Sequence, residues 1–290
     1  MSATASIVPA PRARSRASSA SASARKLSAM RASARGESAL LTTVRTRVCL
    51  GGSSVSSINV DTGEGDDALA REVAALSEAK LLAPPGTRAS YSQAGYNLAG
   101  RVENKVTGIA YEQAIASLLL EPLGLAHSFF ARDDVMTRRF AVGHNRDAGG
   151  KPATARPWRH WRSDNPGAGL ASSVADLLAW ARFHLGDGRT GSGERLLPAA
   201  LLQQMQEPTV ALRGSTLGDT FGICWFLRTL GDRGTEVRTV GHGGSANGQY
   251  AGRLMVPERN CAVVALANAG PDGTAYNRAV VRWALERCLG

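Results

Sequence analysis

Residues 239–252, with the sequence TVGHGGSANGQYAG, place a histidine and a glycine pair inside a strand-like stretch. Glycine has no side chain, so another chain can lie close along the edge of such a strand. The same stretch exposes backbone N–H groups, which can polarise a carbonyl oxygen. The sequence around His242 therefore predicts a strand that belongs to a sheet and also offers groups for chemistry at its edge.

The C-terminal part of the sequence favours a sheet built around this stretch. After a polar helix at LPAALLQQMQEP, the hydrophobic period changes from about 3.6 residues to 2. Four strand candidates follow, separated by Gly, Asp, Asn and Pro turns: TFGICWFLRTL, EVRTVGHGG, QYAGRLMVPER and NCAVVALANAG. Consecutive strands of this kind predict an antiparallel meander. A final helix is expected to cover the sheet with the residues of one side: Val280, Val281, Ala284 and Leu285.

Helical patterns precede the sheet. A first helix is expected from about Asp66 to Lys80, where a Pro-Pro-Gly sequence soon stops it. The segment AYEQAIASLLLEPLGL predicts a second helix. A third helix, in NPGAGLASSVADLLAWARFHLGDG, is expected to be capped by Ser172 or Ser173 and to end at Gly186. Helices, a run of strands and a covering helix predict an α+β fold, with an antiparallel sheet flanked by helices.

The segment ASYSQAGYNLAGRVENKVTG, residues 89–108, crowds polar side chains at the start of a predicted helix. One interpretation is a helix cap, in which Ser90 or Ser92 accepts from free backbone N–H groups. The helix would then bury an apolar stripe at every fourth position: Leu98, Val102 and Val106. The other interpretation is that the polar side chains belong to a chemical site. The remaining motifs decide between the two.

The chain of 290 residues has a net charge of +10, and the charge is unevenly distributed. Residues 1–50 hold nine Lys or Arg and one acid, which gives +8 and leaves +2 for the remainder. These fifty Ser-, Ala- and Arg-rich residues are expected to form a disordered tail, whereas residues 51–290 form the domain. The tail lacks the apolar core of a secretory signal, which predicts a cytoplasmic location. No apolar run approaches the ~20 residues of a membrane helix.

Specific nucleic-acid binding is not expected, because the positive charge is confined to the tail and no aromatic residues interleave with it. The cysteines form no C-x-x-C pair and have no histidine at metal-ligand spacing, so neither a structural zinc site nor a redox dithiol is expected. Cys224 and Cys261 lie in apolar strand-like runs and are expected to be small buried core residues. His127, His144 and His160 share no short ligand spacing and are interpreted as structural residues. No cofactor or metal is expected.

Three motifs occur together in one order: PPGTRASYSQAGYNLAGRVENKVTG, GAGLASSVADLLAWARF and TVGHGGSANGQYAG. With this order and spacing, residues 61–290 resemble the β-lactamase-related serine hydrolases. These comprise class C-like β-lactamases, D-stereospecific D-Ala-D-Ala peptidases and esterases of the same fold, many of them exported. The resemblance implies a β-lactamase/transpeptidase-like fold and a small-molecule or peptide substrate, and it leaves the oligomeric state open.

The family's Tyr-x-Asn triplet is similar to Tyr91-Ser92-Gln93. The resemblance implies that Tyr91 relays a proton at the nucleophile and that the Gln93 amide holds substrate. A tyrosine acts as a base only if its pKa of ~10 is lowered, which usually requires a neighbouring cation. Gln93 is one methylene longer than the family's asparagine, and a displacement of about 1 Å can cost roughly 100-fold in rate.

The family's Lys-Thr-Gly or His-x-Gly motif is similar to His242-Gly243-Gly244. The resemblance implies that His242 lies near Tyr91 and that the backbone N–H of Ser245 forms half of an oxyanion hole. The polar crowd at residues 89–108 is then chemical in origin, and helix capping is its second role.

The family's nucleophile belongs to a Ser-x-x-Lys sequence at the start of a long buried helix. One match is Ser77 with Lys80. Its lysine lies eleven residues before Tyr91, which is too close for the family's arrangement. The other match, Ser23 with Lys26, lies on the expected side of Tyr91 but precedes a sequence without an apolar face. Ser23 and Lys26 are therefore the candidate nucleophile pair of an impaired site.

Residues 40–61 begin and end like a loop of the family but differ in the middle, which predicts that the N-terminal part of the fold is incomplete. Two function classes follow. The first is a serine hydrolase that acts on an amide, β-lactam or ester bond through an acyl-enzyme, with impaired catalysis. The second is an inactive relative or fragment that binds such ligands without turnover.

Overall fold

Two antiparallel sheets occur in the computed structural model, which describes residues 62–79, 84, 91–158, 161–212, 215–231, 236–269 and 273–289. The smaller sheet pairs β1 (His144–Arg146) with β2 (Pro152–Thr154). The larger sheet has the strands β3 (Val210–Ala211), β4 (Thr220–Phe221), β5 (Phe226–Leu230), β6 (Val237–Ala246), β7 (Gln249–Val256) and β8 (Cys261–Ala267). Each strand pairs with the next in the chain, so the predicted antiparallel meander is confirmed.

The helices of the described residues lie before the large sheet and after it. They are α1 (Ala68–Ala75), α2 (Gln93–Thr107), α3 (Tyr111–Ile115), α4 (Arg132–Met136), α5 (Asn165–Ala168), α6 (Val174–Leu185), α7 (Ala199–Met205) and α8 (Gly273–Leu289). A π-helical segment, Ala116–Leu120, continues α3, and short 3-10 turns lie at Leu76–Glu78, Arg162–Asp164 and Pro257–Arg259. Helix α1 is therefore shorter than the predicted helix, which was expected to reach Lys80, because the backbone changes to a 3-10 turn after Ala75.

Side chains on the two faces of the large sheet form two separate clusters. On one face, Val240 and Met255 pack against Ala181 of α6. On the other face, Val256 and Val263 pack against Leu285 of α8. Successive strand residues point to opposite faces, which is why Met255 and Val256 belong to different clusters. The sheet is a layer between the helical region and the C-terminal helix, as the α+β prediction requires.

The C-terminal helix buries only part of its expected apolar side. Leu285 is buried, and Val281 and Ala284 pack against the same cluster. Val280 is 48% exposed, so its assignment to the buried side is wrong. Val281 and Leu285 are one turn apart and therefore share a face, whereas Val280 is rotated by about 100° from Val281.

The strand expected at TFGICWFLRTL is interrupted by a tight turn between β4 and β5. The Gly222 N–H donates to the Trp225 carbonyl, and Cys224 has a φ of 65°. That backbone conformation is uncommon for residues other than glycine and ends a strand. Cys224 is exposed, so its assignment to the core is wrong, whereas Cys261 is half-buried in β8 beside the α8 cluster.

Helix α2 begins at its predicted cap but buries a different stripe. The Ser92 hydroxyl accepts from the Gly95 N–H, and Gly108 ends the helix with a φ of 71°. Val106 is 44% exposed, and the predicted stripe is wrong at that position. The buried positions include Asn97 and Gly100 because α5 packs there; a Cβ at Gly100 would lie 2.4 Å from Cγ of Pro166.

Several predictions concern residues outside the described part of the chain. The disordered tail of residues 1–50 and the divergent segment 40–61 both lie there, as does His160. Among the described residues, no helix is long and apolar enough to cross a bilayer.

We expect Leu285→Ala to lower the free energy of unfolding by about 2–5 kcal/mol, because it opens a cavity between α8 and the sheet. Val280→Ala, five positions earlier on the exposed side of the same helix, is the matched control and should change it by less than about 0.5 kcal/mol. Urea denaturation followed by circular dichroism measures both. Equal effects of the two substitutions would contradict the placement of α8 on the sheet.

Candidate active site

Three aromatic side chains lie close together, one just before α2, one at the start of β5 and one within β6. The ring of Tyr91, just before α2, lies 6.0 Å from that of His242 in β6 and 6.0 Å from that of Phe226 in β5. Phe226 and His242 are themselves 5.0 Å apart between ring centroids. The structure thus brings together Tyr91 and His242, which are separated by about half of the chain.

The end of β6 that carries His242 is paired on one side only. β5 pairs with residues Val237 to Gly241 of β6, whereas β7 pairs with residues Val240 to Ala246. Within the described residues, positions 242–246 therefore have no strand on the β5 side. This segment is the free edge of β6, and its residues 243–246 are exposed.

The backbone N–H of Ser245 points to the free edge. Ala246 and Gln249 flank the two-residue turn Asn247-Gly248, which makes them a hydrogen-bonded pair. Pairs in an antiparallel ladder alternate between bonded and non-bonded, so Ser245 and Tyr250 form a non-bonded pair. The Ser245 N–H is then directed away from β7 and is available to a ligand, as the oxyanion-hole prediction requires.

The glycines beside His242 leave space along the same edge. Among the described residues, no atom lies within 4 Å of a Cβ placed at Gly244, so none of them requires glycine there. A Cβ at Gly243 would approach the Ala251 carbonyl to 3.1 Å, which is tight. Open space next to an unpaired backbone edge is the arrangement that an extended ligand needs in order to lie along a strand.

His242 is held as a neutral imidazole. Its Nδ1 lies 2.6 Å from the Gly243 carbonyl oxygen, so Nδ1–H donates and Nε2 carries the lone pair. Burial lowers the pKa of His242, the bond to Gly243 opposes that shift, and the positive charge of Arg253 adds to it. At neutral pH the Nε2 atom is therefore a hydrogen-bond acceptor that can receive a proton.

Tyr91 has the opposite character. Burial raises the pKa of its phenol above the ordinary value of 10.0. Within the described residues no cation lowers it, so the condition that a basic tyrosine requires is not met there. Tyr91 is consequently protonated at neutral pH and acts as a hydrogen-bond donor in this arrangement.

The Gln93 amide is turned towards α5 and the 3-10 turn before it. Its Nε2 donates to the Asp164 carbonyl over 3.2 Å and to Asn97 Oδ1 over 3.4 Å. A Cβ at Gly167 would lie 1.9 Å from this nitrogen, so the longer glutamine fits only because residue 167 is glycine. Both N–H groups of Gln93 are used inside the protein, which leaves its carbonyl oxygen for a ligand.

A buried polar network below Tyr91 was not predicted from the sequence. Asn97 is fully buried and donates from Nδ2 to Glu72 Oε1 over 2.7 Å and to Asp164 Oδ1 over 3.0 Å. Glu72 and Asp164 are buried as well. The network ties the first turns of α2 to α1 and to the turn 162–164. The only signal in the sequence was an asparagine inside a helix, where that residue is unfavourable without partners.

A family model described as Beta-lactamase matches residues 55–285. The chain belongs to the beta-lactamase family. Penicillin-binding protein 4 of Amycolatopsis lactamdurans is 32% identical over 214 residues, which are 73% of this chain and 55% of that protein. The chain thus spans about half of the length of this curated relative.

Solved structures support the fold of this beta-lactamase family member. SurE superposes with a TM-score of 0.67 at 28% identity, covering 84% of this chain and 54% of SurE. The octameric penicillin-binding protein homologue from Pyrococcus abyssi superposes with a TM-score of 0.66 at 24% identity. That match covers 80% of this chain and 50% of the homologue. The expected β-lactamase/transpeptidase-like fold is confirmed.

The candidate nucleophile of the beta-lactamase family site is not among the described residues. Ser23 and Lys26 both lie outside them, and so does Lys80. Ser77 lies in the 3-10 turn after α1. Ser92, which directly follows Tyr91 in the sequence, uses its hydroxyl as the cap of α2. The roles of Ser23 and Lys26 remain predictions.

Two of the histidines outside the site have structural contacts. The backbone N–H of His127 donates to Asp176 Oδ2 over 2.8 Å. His144 lies in β1, where its backbone N–H donates to the carbonyls of Gly248 and Asn268. In the described part of the chain, no group of three or more His, Cys, Asp or Glu side chains could hold a metal ion.

We expect Gly167→Ala to displace the Gln93 amide and to lower the free energy of unfolding by about 1–2 kcal/mol, because the bonds to Asp164 and Asn97 are lost. In a Gln93→Ala background the same change should cost at least about 1 kcal/mol less, since the overlapping amide is gone. Urea denaturation of the four variants gives this coupling.

Gly244→Ala is the control for this cycle, because its Cβ enters open space and should leave the free energy of unfolding unchanged within about 0.5 kcal/mol. An equal cost of Gly167→Ala with and without Gln93 would show that the two residues do not compete for the same space.

Proposed function

We propose that this chain is a serine hydrolase of the beta-lactamase family with impaired acyl transfer, and that it binds amide, β-lactam or ester ligands along the free edge of β6. The observation that carries the proposal is the position of this edge: no described strand pairs with residues 242–246 on the β5 side, and Tyr91 and His242 lie at the inner end. A ligand backbone can add to such an edge as a further strand.

The groups at the edge suit a carbonyl ligand. The Ser245 N–H and the Tyr91 hydroxyl are donors, and a carbonyl oxygen that gains negative charge is stabilised by donors of this kind. His242 Nε2 can accept a hydrogen bond from an N–H group of a ligand, or it can take up a proton. The glycines at 243 and 244 allow the ligand backbone to approach.

Impaired acyl transfer follows from the state of the remaining groups. Family chemistry requires serine, lysine and tyrosine to act as a unit, and losing one member of such a unit costs almost as much as losing all. The pKa of Tyr91 is raised by burial, so its phenolate is scarce at neutral pH. The Gln93 amide donates its N–H groups within the protein instead of to a ligand.

A second candidate function is ligand binding without any turnover. The name of the relative from Amycolatopsis lactamdurans describes that protein as penicillin-binding, and the matched region covers only part of it. The internal hydrogen bonds of Gln93 favour this candidate, because they remove a group that would hold the ligand during catalysis.

The proposal is tested with p-nitrophenyl acetate and a chromogenic cephalosporin, together with intact-protein mass spectrometry for an acyl adduct. We expect less than stoichiometric acylation, with the adduct on Ser23. Tyr91→Phe should slow its formation by about 10²–10³-fold, because it removes a hydrogen-bond donor to the carbonyl oxygen that gains negative charge. Ser77→Ala is the matched control for Ser23→Ala, because Ser77 begins the other Ser-x-x-Lys sequence.

The outcomes separate the two candidates. An adduct that Ser23→Ala removes and Ser77→Ala preserves supports the impaired hydrolase. No adduct, with cephalosporin binding that His242→Ala weakens at least tenfold, supports binding without turnover. Binding that is indifferent to His242→Ala contradicts both, since each depends on the free edge of β6.

A further inference from the structure

Three nitrogen-bearing side chains from different elements are in contact beside β6. His184 in α6 lies with its ring 5.0 Å from that of Trp225, which precedes β5. The guanidinium carbon of Arg253 in β7 lies 4.6 Å from the centre of the Trp225 ring. His184 is 3% exposed and Trp225 is 2% exposed. We call these three residues the β7 basic cluster.

Four nitrogen atoms of the β7 basic cluster have no hydrogen-bond partner among the described residues. Trp225 Nε1, Arg253 Nε and both ring nitrogens of His184 are buried and make no hydrogen bond in the described part of the chain. No carboxylate among those residues forms an ion pair with Arg253 either. An unsatisfied buried donor and an unpaired buried charge are both costly, so four such atoms in one place need an explanation.

The contacts within the β7 basic cluster do not remove this cost. A cation above a tryptophan face is attracted to it, but the attraction leaves the Arg253 Nε–H and the Trp225 Nε1–H without acceptors. Burial lowers the pKa of Arg253 to about 10, which still leaves the guanidinium charged at neutral pH. Burial and Arg253 together lower the pKa of His184 to about 3, so its imidazole is neutral.

The balance of donors and acceptors identifies the missing partner. The cluster has a positive charge and three kinds of N–H donor, from arginine, tryptophan and one histidine nitrogen, against a single acceptor on the other histidine nitrogen. A group that accepts several N–H bonds and carries negative charge satisfies all of them. We propose that Arg253, Trp225 and His184 form a binding site for a small monovalent anion, a halide or a carboxylate.

The site is linked to the candidate active site by the strand register. Arg253 lies directly opposite His242 on the neighbouring strand. The charge of Arg253 is one of the causes that lower the pKa of His242. An anion bound to Arg253 offsets that charge and so raises the pKa of His242, which gives the anion an effect on the free edge of β6. The inference does not depend on acyl transfer.

The test measures the thermal midpoint of the full chain in sodium chloride, bromide and acetate, with sodium gluconate keeping the ionic strength constant. We expect a saturable rise of about 2–4 °C, which corresponds to roughly 1 kcal/mol for a chain of this size. Bromide should also quench a part of the tryptophan fluorescence with the same midpoint concentration. The chloride and acetate arms distinguish a halide site from a carboxylate site.

Variants locate the effect. Arg253→Met should abolish the anion dependence, and Trp225→Phe, which keeps most of the ring volume, should weaken it at least threefold and remove the saturable bromide quenching. Arg238→Met is the matched control, because Arg238 lies on β6 and already donates to the Gln206 carbonyl. If Arg253→Met does not fold, Arg253→Lys keeps the charge without the planar fork and should still weaken chloride binding.

An internal counter-ion is the alternative occupant. Five acidic side chains of the chain are not described by the structure, so each can be neutralised singly: Glu37, Asp61, Glu78, Asp232 and Asp272. A thermal midpoint of the unmodified chain that is indifferent to all three anions overturns the proposal. So does an anion dependence that appears only after one of these five residues is neutralised. A dependence that survives Arg253→Met overturns it as well.

Discussion

The register between β6 and β7 fixes where the groups of the candidate site lie. A slip of one residue would move His242 to the other sheet face and replace the Ser245 N–H at the free edge by that of its neighbour. The two-residue turn Asn247-Gly248 sets this register, and Gly248 has a φ of 72°, a backbone conformation that glycine adopts readily. The positions of His242 and of the Ser245 N–H therefore depend on the geometry of the hairpin.

The segment around the small sheet holds that turn in place. Asn145 donates to the side chain of Asn247 over 2.6 Å, and Asn247 donates to the Pro157 carbonyl over 3.0 Å. The His144 N–H donates to the Gly248 carbonyl, and a Cβ at Gly248 would lie 2.6 Å from that nitrogen. This region of the sequence shows no regular periodicity, but its hydrogen bonds stabilise the turn beside the free edge.

A second constraint positions Tyr91 on the opposite side of the site. Tyr91 is attached to the first turn of α2, and that turn is fixed by the Ser92 cap and by the buried amide of Asn97. A buried amide between two carboxylates is rigid because each lost bond leaves a buried group without a partner. Close packing of α5 against α2 at Gly100 and Gly167 depends on the absence of side chains there.

The sequence predicted those parts of the structure that depend on local pattern. The meander and the α6 cap at Ser173 follow from periodicity and from a serine before an apolar run. The exposed Cys224 was missed because a left-handed backbone conformation leaves no trace in hydropathy. The exposure of Val106 was missed because packing by Pro166, which is distant in sequence, decided which side of α2 is buried.

The candidate site itself was predictable only through the resemblance of its motifs, because no local rule relates residue 91 to residue 242. Its electrostatics were not predictable, since they arise from burial. Tyr91 remains protonated, His242 remains neutral, and Arg253 remains charged although it is largely withdrawn from water. The first and third of these conditions favour negative charge at the edge of β6, because the Tyr91 phenol donates to it, as the Ser245 N–H does, and the Arg253 guanidinium attracts it. These donors and the guanidinium support the proposal that a ligand with a carbonyl group or an oxyanion binds along the free edge of β6.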